Sequence, residues 1–198
     1  MTDYSELKEL VYKFAPLGIR KVEQTGATLI GPAPFIASNA WLNHLFSPLS
    51  KQEIKELEVS LDKRIPNDYI DFLISFSNGL EVLNTTLSLE GLRYNYNRNS
   101  IDDVWQPFDL IVSNVYEKPV NAASEMFFFG SYHWDGSLLY FNSQNEICYC
   151  SREDARPLKK WNNFLSMLIS EIRRLYALFD DTGRSLDSSI PTIPVVSQ

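Results

Sequence analysis

The stretch at residues 57–82, LEVSLDKRIPNDYIDFLISFSNGLEV, constrains this chain more than any other. It describes the end of one helix, a tight joint, and a second helix that stops at Asn78-Gly79. Pro66 suits a first helical position, because its fixed φ fits a helix and its missing N–H has no intrahelical partner there. Asp68 puts a negative charge in the first turn, where the helix dipole favours it. Tyr69, Phe72, Leu73 and Phe76 recur at i, i+3, i+4 and i+7 and form one apolar stripe. Asp71 and Ser75 fall off that stripe. Gly79 can close the helix in the left-handed conformation at no side-chain cost. Taken alone, the stripe asks only for a helix packed on a sheet.

Two further helices are legible, together with the start of the helix that ends in this stretch. Residues 4–14 carry Leu7, Leu10, Val11 and Phe14 on one face, and Ala15-Pro16-Leu17-Gly18 ends that run. Ser50 with Glu53 fits a capping box, with Leu49 and Ile54 at the two staple positions. Glu53, Glu56 and Glu58 on that helix read as a solvated face. The last helix spans about residues 161–179, capped by Asn162 or Asn163. Its broad apolar face runs from Trp161 through Phe164, Leu168, Ile172 and Leu175 to Phe179.

The strand signals lie between these helices. Residues 87–94 alternate, and residues 126–130, MFFFG, form the continuous apolar run of a buried strand. Residues 138–141 and 146–150 flank Asn142-Ser143-Gln144-Asn145, the pattern of a hairpin. Residues 110–117 fit a short helix or a strand equally. Residues 22–47 are broken by Gly26, Gly31, Pro32 and Pro34 and read as an irregular arm lying on the core, with a ligand lid as the alternative. The sum is one α+β domain over residues 1–198, a mostly antiparallel or mixed sheet covered by helices. Residues 1–47 are an N-terminal elaboration, 48–179 the core, and 180–198 a tail without helical period.

Several of these pieces, taken in order, resemble the signature of the SUKH superfamily. They are Leu57-Glu58, Ile65-Pro66-Asn67-Asp68-Tyr69, Phe72-Leu73 and Ser77-Asn78-Gly79. Phe129-Gly130, Asp135-Gly136 before Leu139-Tyr140-Phe141, and Trp161-Asn162-Asn163-Phe164-Leu165 follow in the same order. The superfamily takes in the fungal Smi/Knr cell-wall regulators and many bacterial immunity proteins. The resemblance covers roughly residues 48–179. It implies a non-catalytic protein that binds a cognate toxin in the cytoplasm, or else a regulatory or adaptor module.

The composition restricts the chemistry. The net charge is −7, with 10 basic against 12 acidic side chains in residues 1–99 and 8 against 13 in residues 100–198. A nucleic-acid binder needs a basic face to displace counterions, so direct nucleic-acid binding is not expected. A basic protein partner, such as a nuclease toxin, suits the acidic balance, although ordinary solubility explains it as well. No apolar run approaches the ~20 residues of a membrane span, and the first residues lack a secretory pattern. Cys148 and Cys150 are too few for a disulfide framework and read as reduced thiols in a cytoplasmic protein.

No catalytic constellation stands out, and no metal or organic cofactor is expected. The eight glycines form no phosphate-cradling loop, and two histidines, His44 and His133, make no local multi-histidine metal motif. His133 with Asp135 could act as base and orienter, against the plainer reading of an exposed turn. The segments at residues 94–105 and 131–136 combine aromatic residues with acids, a composition suited to contact. Candidate partner-binding residues are therefore Tyr94, Tyr96, Asp102, Asp103 and Trp105 in the first segment, and His133, Trp134 and Asp135 in the second. Trp105 and Trp134 fit a core role too, Trp105 more so.

Overall fold

The computed structural model describes residues 2–196. Its centre is a nine-stranded antiparallel sheet in which strands follow one another in sequence order. The strands are β1 (Ile19–Lys21), β2 (Thr28–Pro32), β3 (Trp41–Leu45), β4 (Leu80–Val82), β5 (Leu87–Leu89), β6 (Phe127–Tyr132), β7 (Leu138–Phe141), β8 (Ile147–Cys150) and β9 (Lys159–Trp161). Four helices, α1 (Ser5–Val11), α2 (Lys51–Leu61), α3 (Asn67–Ser75) and α4 (Phe164–Tyr176), contribute their apolar stripes to a single core. The fold is α+β.

The apolar stripe of α3 explains its place at the middle of that core. Tyr69, Phe72 and Leu73 are fully buried, and Tyr69 and Phe72 both meet the ring of Phe164 from α4. Phe76, expected on the same stripe, caps the helix and is only half-buried. Pro66 is the N-cap and not the first helical residue, with an extended ψ that lets its carbonyl accept from Tyr69 and Ile70. The Tyr69 hydroxyl donates to the backbone oxygens of Glu90, at 2.5 Å, and Phe129, at 3.2 Å. This helix therefore pins two strand ends as well as filling the core.

Helix α3 ends short of Ser77-Asn78-Gly79, so Gly79 does not close it as the sequence suggested. Asn78 instead pairs with Leu92 through both its amide nitrogen and its oxygen. Gly79 stands at φ +85°, where a Cβ would lie 2.7 Å from the Leu89 carbonyl oxygen. Gly91 faces Asn78 so closely that a Cβ there would lie 2.3 Å from the Asn78 side chain. Two glycines and one asparagine thus hold the chain leaving β5 against the chain entering β4.

Other expectations need adjustment. Residues 22–47 are not an irregular arm: β2 and β3 lie within them and, with β1, extend the sheet. The glycine and proline breaks mark strand ends and a bend at Gly31, whose φ is +70°. Strand β5 stops at Leu89, well before residue 94. Residues 110–117 contain a π-helical turn, Val112–Tyr116, tied to β6 by Asn114, which exchanges hydrogen bonds with both backbone groups of Phe128. Trp161 belongs to β9, and α4 starts at Phe164 under the Asn163 cap. The tail beyond residue 184 is partly docked: Arg174 donates to Thr192, and Ile193 packs on the core.

The capping box at α2 forms as read. Ser50 Oγ accepts from Glu53 N at 3.2 Å, and Glu53 accepts from Ser50 N at 2.7 Å. Ser50→Ala is expected to lower unfolding free energy by about 1 kcal/mol in urea melts. No loss would mean that the cap is replaced by solvent without cost.

Candidate functional site

The helices cover one face of the sheet, and the opposite face is divided. Leu80, Val82, Leu87 and Leu89 point into the main core, so alternation turns Glu81 and Ser88 the other way. The pairing registers align His44, Glu81, Ser88 and Ser131 in one polar row across β3 to β6. At one end of this face lies a small apolar cluster of Val22, Ala27, Leu29 and Phe46. At the other lies a cluster of Phe128, Leu138, Tyr140, Cys148, Cys150 and Ala155. A bulge in β6 makes this possible: Phe128 pairs with Tyr140 but Gly130 with Leu139, so the extra residue turns Ser131 outward while Phe129 and Tyr132 stay in the main core.

A groove of about 400 Å³ opens on this second face. Its carboxylates are Glu90, Asp109 and Glu117, and its arginines Arg93, Arg98 and Arg152. Tyr96 and Phe108 supply rings, and Ser131, Gly136 and Leu138 close it from the sheet side. Glu90 follows directly on β5 and is 6% exposed. One of its oxygens, Oε2, accepts from the Ser113 hydroxyl. Burial raises its carboxyl to about 7, against the Ser113 hydrogen bond and with help from the charges of Asp109 and Glu117. Asp109 accepts from Tyr96 Oη at 2.6 Å and from Ile111 N at 3.0 Å. Arg93 lies over the Tyr96 ring at 5.1 Å and donates to the carbonyls of Asn95 and Pro107. Arg152 pairs with Glu117 at 3.8 Å.

The two aromatic-acid segments meet this groove unequally. Tyr96 lines it. Tyr94, 58% exposed, instead latches its segment to α2 by donating to Glu53 at 2.7 Å. Hydrogen bonds from the Ser50 backbone and from Tyr94 hold the Glu53 carboxyl below its usual range. Asp102 pairs with Arg20 at 2.5 Å, and Asp103 accepts from Ser100 N at 2.8 Å. Trp105 packs on the Val22 cluster, edge-on to His44 at 5.1 Å. In the second segment only Ser131 and Gly136 reach the groove. His133, Trp134 and Asp135 project from the β6–β7 turn, with Trp134 47% exposed. The Asp135 carboxylate accepts from Ser137 N at 2.9 Å and makes no hydrogen bond to His133 among the described residues.

The residues that sequence reasoning missed are Glu90, Asp109, Ser113, Glu117 and Arg152. Asp109 and Glu90 are buried acids, which only the chain path brings together. His44 is a further surprise. Its Nδ1 is bonded to Glu81, and its Nε2 and the Trp105 Nε1 are buried with no partner among the described residues. Both cysteines are free and buried, and burial pushes the Cys150 thiol up to about 12, far from a reactive thiolate. No group of three or more His, Cys, Asp or Glu among the described residues is placed to hold a metal ion.

The family model for SMI1 / KNR4 (SUKH-1) matches residues 48–170, well over half of the chain. The chain belongs to the SUKH-1 family. The matched SUKH-1 region contains α2, α3, β4 to β9 and the first half of α4, and with them the floor and walls of the groove. The strands β1 to β3 precede it. No curated protein and no solved structure matches the chain. SUKH-1 proteins are generally non-catalytic, and the domain is consistent with an immunity-type protein. No helix among the described residues is long and apolar enough to cross a membrane.

Proposed function

We propose that this SUKH-1 protein is a non-catalytic immunity protein that binds a cognate protein toxin in the cytoplasm and blocks it by occupying its surface. The observation that carries the proposal is the groove on the sheet face opposite the helices, inside the family-matched region. Its charged walls and two rings suit a protein surface better than a reacting centre, since aromatic residues and arginines anchor interfaces. Asp102 and Asp103 lie on a loop that reaches the same face, but they are half-buried and bonded to Arg20 and to Ser100 N, so they steer a partner less than free surface charge would.

Co-expression with a toxin encoded beside it tests the proposal. Growth should be restored, and the two chains should elute as a stoichiometric complex. Tyr96→Ala with Arg98→Ala should weaken that complex by about tenfold or more, mainly through faster dissociation. A toxin that kills equally with and without this protein would overturn the proposal. A regulatory or adaptor module is the second reading. It is favoured by the balance of three arginines against three acids in the groove, which singles out no uniformly basic toxin. A stable complex with a non-toxic partner, without any rescue, would select it.

A further inference from the structure

From the carboxylate oxygen that opens onto the groove floor without a protein donor, we infer that the groove receives an arginine side chain of the partner, with its guanidinium seated on Glu90. This rests on the reading that the groove binds a protein. Glu90 is more than nine-tenths buried, yet only its Oε2 has a hydrogen-bond donor among the described residues. Its Oε1 faces the groove without one. A mostly buried carboxylate served by one hydrogen bond gains from a cation that reaches its accessible second oxygen. Three arginines line the same groove, and none is placed to serve. Arg93 is held by two backbone carbonyls and the Tyr96 ring. Arg152 leans to Glu117. Arg98 makes no ion pair to any described residue and stands at the rim.

The walls complete the fit. Phe108 is 47% exposed, so part of its ring is free to stack on a planar guanidinium. Val112 and Leu138 offer apolar surface for the aliphatic stem. Asp109 and Glu117 add negative charge around Glu90, which favours a cation over a neutral donor. The volume of about 400 Å³ admits a side chain with its flanking backbone and no folded element. Arg98 and Arg152 at the edge then suit an acidic residue beside the inserted arginine, so the site selects a segment carrying both signs.

The test needs no identified toxin. The isotope-labelled full chain is titrated at pH 8, where Glu90 is ionised, with the peptide acetyl-Ala-Arg-Ala-amide, and amide shifts are followed by NMR. The neutral isostere acetyl-Ala-citrulline-Ala-amide is the control. Saturable shifts centred on Ser113, Ser131 and Gly136 are expected for arginine, with binding weakened about tenfold or more for citrulline and likewise for Glu90→Gln. Equal binding of the two peptides, shifts centred elsewhere, no saturable shift, or full affinity in a folded Glu90→Gln variant would overturn the inference. The citrulline comparison decides the matter on the unaltered protein if that variant does not fold. Failure of the peptide alongside toxin rescue removes the arginine and keeps the immunity proposal. Peptide binding without rescue does the reverse.

Discussion

Phe72→Ala is expected to lower the free energy of unfolding by ~3–5 kcal/mol. Phe72 is fully buried, and the rings of Tyr4, Tyr69, Phe76 and Phe164 surround it. Alanine forfeits the burial of the ring and leaves a cavity between α3 and α4 that four aromatic neighbours cannot fill without leaving their rotamers. Tyr69→Ala should cost at least as much, because it also removes the donor to the Glu90 backbone oxygen inside the protein, while the Phe129 oxygen keeps the Glu90 N–H at 2.8 Å. Tyr69→Phe isolates that second contribution and should cost about 1–3 kcal/mol. Urea unfolding of the three variants gives the comparison. A Phe72→Ala melt matching the wild type would mean that the core closes around the gap. A harmless Tyr69→Phe would mean that water takes over the Glu90 carbonyl.

The helices were legible in the sequence because their burial repeats. Tyr69, Phe72 and Leu73 declare α3 by spacing alone, and Ser50 with Glu53 declares the start of α2 by chemistry. The first strands were not legible, for a physical reason. Strand β3, WLNHL, buries Asn43 and His44, so its burial does not alternate with polarity. Asn43 earns that place by bonding to the Val11 carbonyl, the Tyr176 hydroxyl and the Leu83 amide, all distant in sequence. The groove was hidden for the same reason. Glu90 reads as an outward residue of an alternating strand, and nothing local says that the chain from residue 93 to 117 returns over it. Tyr96 was visible because an aromatic residue in a polar segment is unusual. The aspartates beside it were visible as charges, but their engagement with Arg20 and with a local cap depends on tertiary position.

Glu90→Gln is expected to stabilise the protein by ~3 kcal/mol at pH 8 to 9 and to leave it nearly unchanged at about pH 4. Burial holds the folded-state carboxyl at about 7, well above the ordinary glutamate value of 4.5. The folded protein therefore keeps the proton that the unfolded chain releases. The stability tied to this group is fully present below about pH 4.5, declines as pH rises, and is lost above about pH 7. At about 1.4 kcal/mol for each tenfold change, the gap between the two values corresponds to an effect of ~3 kcal/mol. Asp109 and Glu117 face the same groove and oppose ionisation, while Arg93, Arg98 and Arg152 sit too far into their own contacts or the rim to reverse it. Those neighbours are present in both proteins, so the difference between urea melts of wild type and variant at each pH reports chiefly on Glu90. A difference that does not change between pH 5 and pH 8 would show that Glu90 keeps an ordinary carboxyl in the folded state. The glutamine resembles the protonated acid, keeps an acceptor for Ser113 and carries no charge to bury. The charge that lowers stability at neutral pH, where glutamine would not, is also the ionised floor that an arriving guanidinium requires.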